Sequence, residues 1–259
     1  MTDTGTFYTD ELVENLQYRF GTGFLSPGGV TELRLMFDGV PVENRSIVDF
    51  GCGLGGYDVE LVRELSAAHV TGVDIEPDLL AEAQSRASSA GLDDRLSFDH
   101  VAEPPLPYDE GHFDIAFSKD AIVHLPDKAA VLAELYRLTK PGGWLVLADW
   151  FGADAPMTPE MRTWASDGEE TFHMASLGEM ASLARGHGFT TRDIVDRNAW
   201  FQEFCRDELA RLEGPLFDTY TRRFGHDQAR RSVANARARL QLAEQGQLRP
   251  GYVRACKPG

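Results

Sequence analysis

Between residues 46 and 151, short apolar runs alternate with amphipathic segments, and this rhythm predicts the core of the fold. Ser46–Phe50, His69–Asp74, Leu96–Phe98, Phe113–Phe117 and Gly143–Trp150 read as strands. Asp58–Ser66, Asp78–Ala90 and Asp127–Thr139 read as helices between them. In the last of these Val131, Leu132, Leu135 and Leu138 share one face, and Pro141-Gly142-Gly143 supplies the stop. Strand–helix alternation of this kind predicts a mostly parallel sheet covered on both faces. Residues 1–44 add a helical pattern, a turn-rich stretch from Gly21 to Gly29 and a helix over Thr31–Phe37. Beyond residue 155 come helical segments at Pro159–Thr171 and Ser176–His187, then a strand at Asp193–Asp196. Long helical stretches at Trp200–Leu212 and His226–Ala243 follow, and Tyr252–Cys256 closes as a strand. With no internal repeat or linker, one domain is expected: a cap (1–44), a core (45–151) and a region of helices and closing strands (152–259).

Composition narrows the function. A net charge of −16 gives an acidic surface that repels phosphate backbones, so nucleic acid is not an expected partner. Cys52, Cys205 and Cys256 lie far apart, with neither metal-ligand nor disulfide spacing. The chain lacks an apolar stretch of bilayer length, and Met-Thr-Asp-Thr-Gly is not the start of a signal peptide. A reduced, cytoplasmic protein without a metal is expected, as monomer or dimer.

The strongest chemical signal is Val48-Asp49-Phe50-Gly51-Cys52-Gly53-Leu54-Gly55-Gly56, a strand feeding a glycine-rich turn before a helix. Glycine permits the tight turn and removes side chains that would keep a ligand from the backbone. Asp74 ends the next strand, 23 residues after Gly51, where a carboxylate can accept hydrogen bonds from a ribose. Gly51, Gly53 and Gly56 also satisfy the dinucleotide fingerprint, so the loop alone leaves NAD and S-adenosylmethionine both open. Asp49 separates them. Its charge opposes a diphosphate and tolerates an ammonium and a sulfonium. The loop also opens about fifty residues in, behind a cap, and Lys140-Pro141-Gly142-Gly143 enters a strand downstream.

Three further stretches carry a resemblance: Tyr8-Thr9-Asp10-Glu11, Phe20-Gly21-Thr22-Gly23-Phe24-Leu25-Ser26-Pro27-Gly28-Gly29, and Ser118-Lys119-Asp120-Ala121-Ile122-Val123-His124-Leu125. With the glycine loop, they make the chain similar to class I S-adenosylmethionine-dependent methyltransferases, and most like the phosphoethanolamine N-methyltransferases. The carboxy-terminal segment through Gly251-Tyr252 resembles the glycine, sarcosine and dimethylglycine N-methyltransferases. The resemblance implies a Rossmann-like α/β fold with a mostly parallel seven-stranded sheet, helices on both faces, an amino-terminal helical cap and a late helical insertion. It implies that Ser26, Gly51, Gly53 and Gly55 meet the amino-acid end of the cofactor, with Asp49 at its ammonium and Lys119 also in the cofactor site. Asp74 is expected on the ribose hydroxyls and Ile75 against the adenine. The family's adenine-holding Asp aligns with Ala102, beside which Glu103 is the expected replacement. Tyr8 and His124 match a pair that closes the site and takes the substrate's proton; Asp120 matches a residue facing the amine.

At the acceptor end the chain departs from that family. Its phosphate-binding Arg and two Tyr align with Glu170, Phe172 and Trp150, and Arg239 is a stand-in for a late Lys. A Glu facing a phosphate would repel it, so a phosphate-free amine is the expected acceptor. Tyr18, Trp150 and Phe172 are expected to wall its pocket by cation–π attraction, or else to pack in core and cap. A solvated helix face is expected for Arg230, Arg231, Arg237 and Arg239. The alternatives are a small-molecule O- or C-methyltransferase of specialised metabolism, a cofactor-binding sensor without catalysis, and an NAD-dependent oxidoreductase.

Overall fold

The structure, a computed structural model, describes residues 8–102, 104–166 and 172–259. Helices α1 (Asp10–Phe20) and α2 (Gly29–Met36) precede β1 (Ser46–Phe50), α3 (Gly56–Leu65), β2 (His69–Asp74), α4 (Pro77–Ala90) and β3 (Leu96–His100). Then come β4 (Phe113–Lys119), a 3-10 turn at Ile122–His124, α5 (Lys128–Leu138) and β5 (Thr139–Asp149). The remainder is α6 (Pro159–Ser166), α7 (Leu177–Gly186), β6 (Thr190–Asp196), α8 (Asn198–Glu213), α9 (Phe217–Phe224), α10 (His226–Glu244) and β7 (Gly251–Cys256). The seven strands form one sheet in the order β3-β2-β1-β4-β5-β7-β6, parallel except that β7 runs against both β5 and β6. This is the expected Rossmann-like α/β architecture, a mostly parallel seven-stranded sheet with helices on both faces.

The sheet is buried on both faces because its central strands are apolar at consecutive positions, not alternate ones. Along β5, Leu145 and Leu147 join the core under α5 and α7, while Val146 and Ala148 join the core under α2 and α3. Val48 and Ile47 divide β1 in the same way. Helix α5 ends at Leu138, earlier than its expected stop. Thr139 leaves helical geometry, and its Oγ1 donates to the Leu135 carbonyl at 2.6 Å. Pro141-Gly142-Gly143 instead forms a bulge inside β5, where the register with β4 shifts. A Cβ on Gly143 would lie 2.6 Å from the Asp114 carbonyl oxygen, so the close approach needs glycine.

Helices α8, α9 and α10 form the late insertion, between β6 and β7. Helix α9 is not foreseen by periodicity: it has eight residues and sits between Gly214-Pro215 and Gly225, a setting that reads as a connection. The insertion roofs the carboxyl ends of the strands and is tied to α1. Arg19 donates to Glu208 of α8 through Nε (3.0 Å) and Nη2 (2.7 Å), and Arg239 of α10 pairs with the same carboxylate. No helix among the described residues is long and apolar enough to cross a membrane.

Candidate active site

A cavity of about 1120 Å³ runs between the strand tips and the roof, from the glycine loop to α10. Its floor is built by the loop after β1. Gly51 has φ +78° and Gly53 +53°, and a Cβ on Gly51 would come within 2.3 Å of the Ala121 Cβ. Any other residue at Gly51 would push the β4 loop away. The amides of Gly51 and Cys52 both donate to the Val73 carbonyl (2.8 and 3.1 Å), which holds the loop over the tip of β2. Asp74 secures it from the other side, accepting from the Gly53 amide at 2.8 Å and the Glu76 amide at 3.0 Å.

Three carboxylates gather around this loop. Asp49 is 3% exposed, and its Oδ1 has no hydrogen-bond partner. Burial, then Asp58 and Asp74, push its carboxyl well above the usual range, with Lys119 pulling the other way. Burial raises Asp58 to about 7 and also raises Asp74. An orphaned, buried carboxylate oxygen beside two more acids suits a cation and opposes a diphosphate. Lys119 is engaged elsewhere: its Nζ donates to Ser26 Oγ at 2.9 Å, pairs with Asp120 and stands over the Tyr57 ring. Burial alone would lower its pKa, yet Asp120 and Tyr57 outweigh that and raise it. Asp120 adopts a left-handed φ of +53°, rare for a non-glycine, and its amide donates to the Ala148 carbonyl at 2.9 Å.

The 3-10 turn after β4 presents His124 to the cavity. Lys128 braces that turn, its Nζ donating to the carbonyls of Ile122 (2.8 Å) and Leu125 (2.9 Å). Burial lowers the His124 pKa, with Lys128 and His173 adding to the effect against Asp120. The imidazole is therefore neutral at neutral pH and able to accept a proton. Beside it lies an apolar wall of three near-parallel rings, of which Phe172 meets the imidazole at 5.2 Å between ring centres. Trp150 and Trp164 lie 5.7 Å apart at 5°, Trp164 and Phe172 5.2 Å apart at 22°, and Trp150 and Phe172 6.1 Å apart at 26°. The Arg239 guanidinium approaches Trp150 from the roof, 6.0 Å from its ring centre.

The cavity thus brings together Tyr8, Ser26, Asp49, Gly51, Gly53, Asp74, Ile75, Lys119, Asp120, His124, Trp150, Phe172 and Arg239. Ile75 stands 59% exposed at its mouth, an apolar surface left open for a flat ligand. Two expected residues lie elsewhere. Gly55 turns away to pack on Ala83 and Phe98, its αL conformation serving the entry to α3. Tyr18 is a correction: its ring packs edge-on against Tyr220 (5.8 Å) and Phe224 (5.6 Å), in the core of the roof. Arg239 corrects the expected solvated face, for it is 3% exposed, whereas Arg230, Arg231 and Arg237 remain at the surface. Glu103 and Glu170 lie outside the described residues. Trp164, Lys128 and Arg19 were missed. Trp164 shares a face with the buried Met161 and Ala165 at helical spacing, a signal present in the sequence; Lys128 and Arg19 act through tertiary contacts that no local pattern announces.

Comparison with known proteins agrees with this geometry. Residues 47–143 match the family model of a methyltransferase domain. Phosphoethanolamine N-methyltransferase 1 of Arabidopsis thaliana is 26% identical over 212 residues, covering 78% of this chain and 42% of the relative. The chain thus spans about half the length of the curated relatives it matches. Among solved structures, phosphoethanolamine N-methyltransferase 2 of Haemonchus contortus, in complex with S-adenosyl-L-methionine, superposes with a TM-score of 0.89 at 23% identity. That match covers 98% of this chain and 59% of the other. Geranyl diphosphate C-methyltransferase from Streptomyces coelicolor A3(2) gives 0.68 at 17% identity, over 87% and 76% of the two chains. At these identities the structural likeness establishes the fold.

Proposed function

From the premise that the chain carries a methyltransferase domain of the class I fold, we propose that it is an S-adenosylmethionine-dependent N-methyltransferase acting on a small, phosphate-free amine. The observation that carries this reading is the buried Asp49 carboxylate, with an unpartnered oxygen at the floor of the glycine loop. Cap, core and roof act as one catalytic unit, since all three line the cavity. Three free, buried cysteines suit a reducing cytoplasm.

When bound, S-adenosylmethionine supplies an electrophilic methyl group on a sulfonium. Asp49 would meet its ammonium, Asp74 the ribose hydroxyls, and Ile75 the adenine face. Asp120, fixed by Lys119 and by its own strained backbone, orients the amine. The amine must shed a proton before it can attack, and neutral His124, with Tyr8 at the same cavity, is the acceptor for it. Trp150 and Phe172 replace polar groups with flat apolar surface, which disfavours a phosphate. A neutral imidazole beside an apolar wall would serve a hydroxyl or carbon acceptor equally well, which is the second reading.

Calorimetric titration with S-adenosylhomocysteine and with NAD tests the cofactor, and only the former should bind. Incubation with methyl-labelled S-adenosylmethionine and a panel of amines, alcohols and phenols tests the acceptor. Label on nitrogen is expected; label confined to oxygen or carbon would replace the amine with the second reading.

A further inference from the structure

Helix α10 turns one polar face toward the cavity. Gln228, Arg231, Ser232, Asn235 and Arg239 recur at helical spacing, and all five line it. At ~1.5 Å per residue the row extends about 16 Å along the helix axis, starting from Arg239 beside the Trp150 ring. Arg239 is spent on Glu208, and the Ser232 hydroxyl pairs with that of Tyr220 at 2.9 Å, so these two anchor the helix. Gln228 is half-buried, and Arg231 and Asn235 are exposed, so their side chains are open to a ligand. Arg231 Nε donates to Gln228 Oε1 at 2.9 Å, which turns the guanidinium to its neighbour and leaves the Gln228 amide nitrogen to donate outward. Helix α1 adds Glu11, Leu12 and Leu16 to the same cavity, so the exposed charges here, Glu11 and Arg231, are of opposite sign.

Resting on the N-methyltransferase reading, we propose that the acceptor is a polyhydroxylated amine, of the amino sugar or amino polyol class. Its nitrogen meets Asp120 and His124, and its hydroxyls run along α10 past Asn235 toward Gln228. An amide both donates and accepts, as a hydroxyl does, so each can satisfy the other. An alkyl chain in this place would strip water from the amides and return no hydrogen bond. A carboxylate or phosphate would find Arg231 balanced by Glu11, with no surplus of exposed positive charge to favour it. A polyol also has an apolar C–H side, which suits Leu12, Leu16 and the flat wall of Trp150, Trp164 and Phe172. A cavity of about 1120 Å³ exceeds the common range of ~300–1,000 Å³ for one small ligand, which leaves room for such an acceptor beside the cofactor.

Glucamine, glucosamine, hexylamine, ethanolamine and 6-aminohexanoate, titrated calorimetrically into protein saturated with S-adenosylhomocysteine, test the proposal. Glucamine and hexylamine share a chain length and differ only in their hydroxyls. At least one of the two polyhydroxylated amines should bind about tenfold more tightly than each of the other three. Glucamine ahead marks an open chain, and glucosamine ahead marks a ring. Asn235→Leu changes an exposed position, so the fold is not at stake. It should weaken the preferred polyhydroxylated amine about fivefold and leave hexylamine and S-adenosylhomocysteine unaffected. Hexylamine as tight as that amine, or an unaltered affinity in Asn235→Leu, would overturn the hydroxyl row. Tighter 6-aminohexanoate would overturn the choice of a neutral extension. If no amine binds while S-adenosylhomocysteine does, the amine acceptor is wrong and the proposal with it. Failure of S-adenosylhomocysteine itself to bind would sink the methyltransferase reading instead.

Discussion

Asp49 and His124 are perturbed in opposite ways by the same cause, removal from water, and each perturbation has a measurable consequence. A buried carboxylate with one unpartnered oxygen destabilises the empty protein, so Asp49→Asn should leave the melting temperature unchanged or raised. The same substitution should weaken S-adenosylhomocysteine by tenfold or more, read by calorimetry. For His124 the burial-lowered pKa places the loss of base function below the ordinary histidine value of about 6.5. The acid limb of the kcat/KM profile should therefore have its midpoint below that pH. His124→Ala should reduce turnover by about 10²–10⁴-fold with cofactor affinity nearly intact. Both residues were legible in the sequence, because Asp49 stands two places before a glycine turn and His124 falls in a recognisable stretch. Tyr18 was left between pocket and packing, since nothing local distinguishes an aromatic facing a ligand from one facing Tyr220 and Phe224.

The secondary-structure elements of the core were read closely because their strands are buried on both sides and so carry unbroken apolar runs. The roof was read less well. Its helices bury polar groups against one another, and a charged helix whose partner lies on another element looks solvated in one dimension. Glu208 illustrates this: it is buried, and Arg19 and Arg239 overcome the effect of burial and keep its carboxyl below the usual range. Glu208→Gln should cost about 3–5 kcal/mol in denaturant unfolding, because the buried Arg239 and the part-buried Arg19 would lose their shared anion. At the opposite end of the cavity, Lys128→Met would uncap the Ile122 and Leu125 carbonyls. Hydrogen exchange should then quicken around the turn that carries His124, and kcat should fall more than cofactor affinity.

For the molecule as a whole, buried acids set the response to pH. Asp58 is raised to about 7 and Asp149 to about 8, in both cases chiefly by burial. A folded state that holds protons above the unfolded carboxylate range of about 4 loses stability as pH rises through that interval. The melting temperature without cofactor should be highest near pH 5 and decline toward pH 8, and Asp58→Asn should flatten the decline. The placement of β7 reaches into biosynthesis. Among the described residues β7 is the only strand neighbour of β6, yet the whole of α8, α9 and α10 is translated between them. A nascent chain must therefore carry β6 with a bare edge until Gly251–Cys256 slide in beside β5. Arg192, Asp193 and Asp196, the charged residues along β6, are in position to discourage another chain from pairing there during that interval.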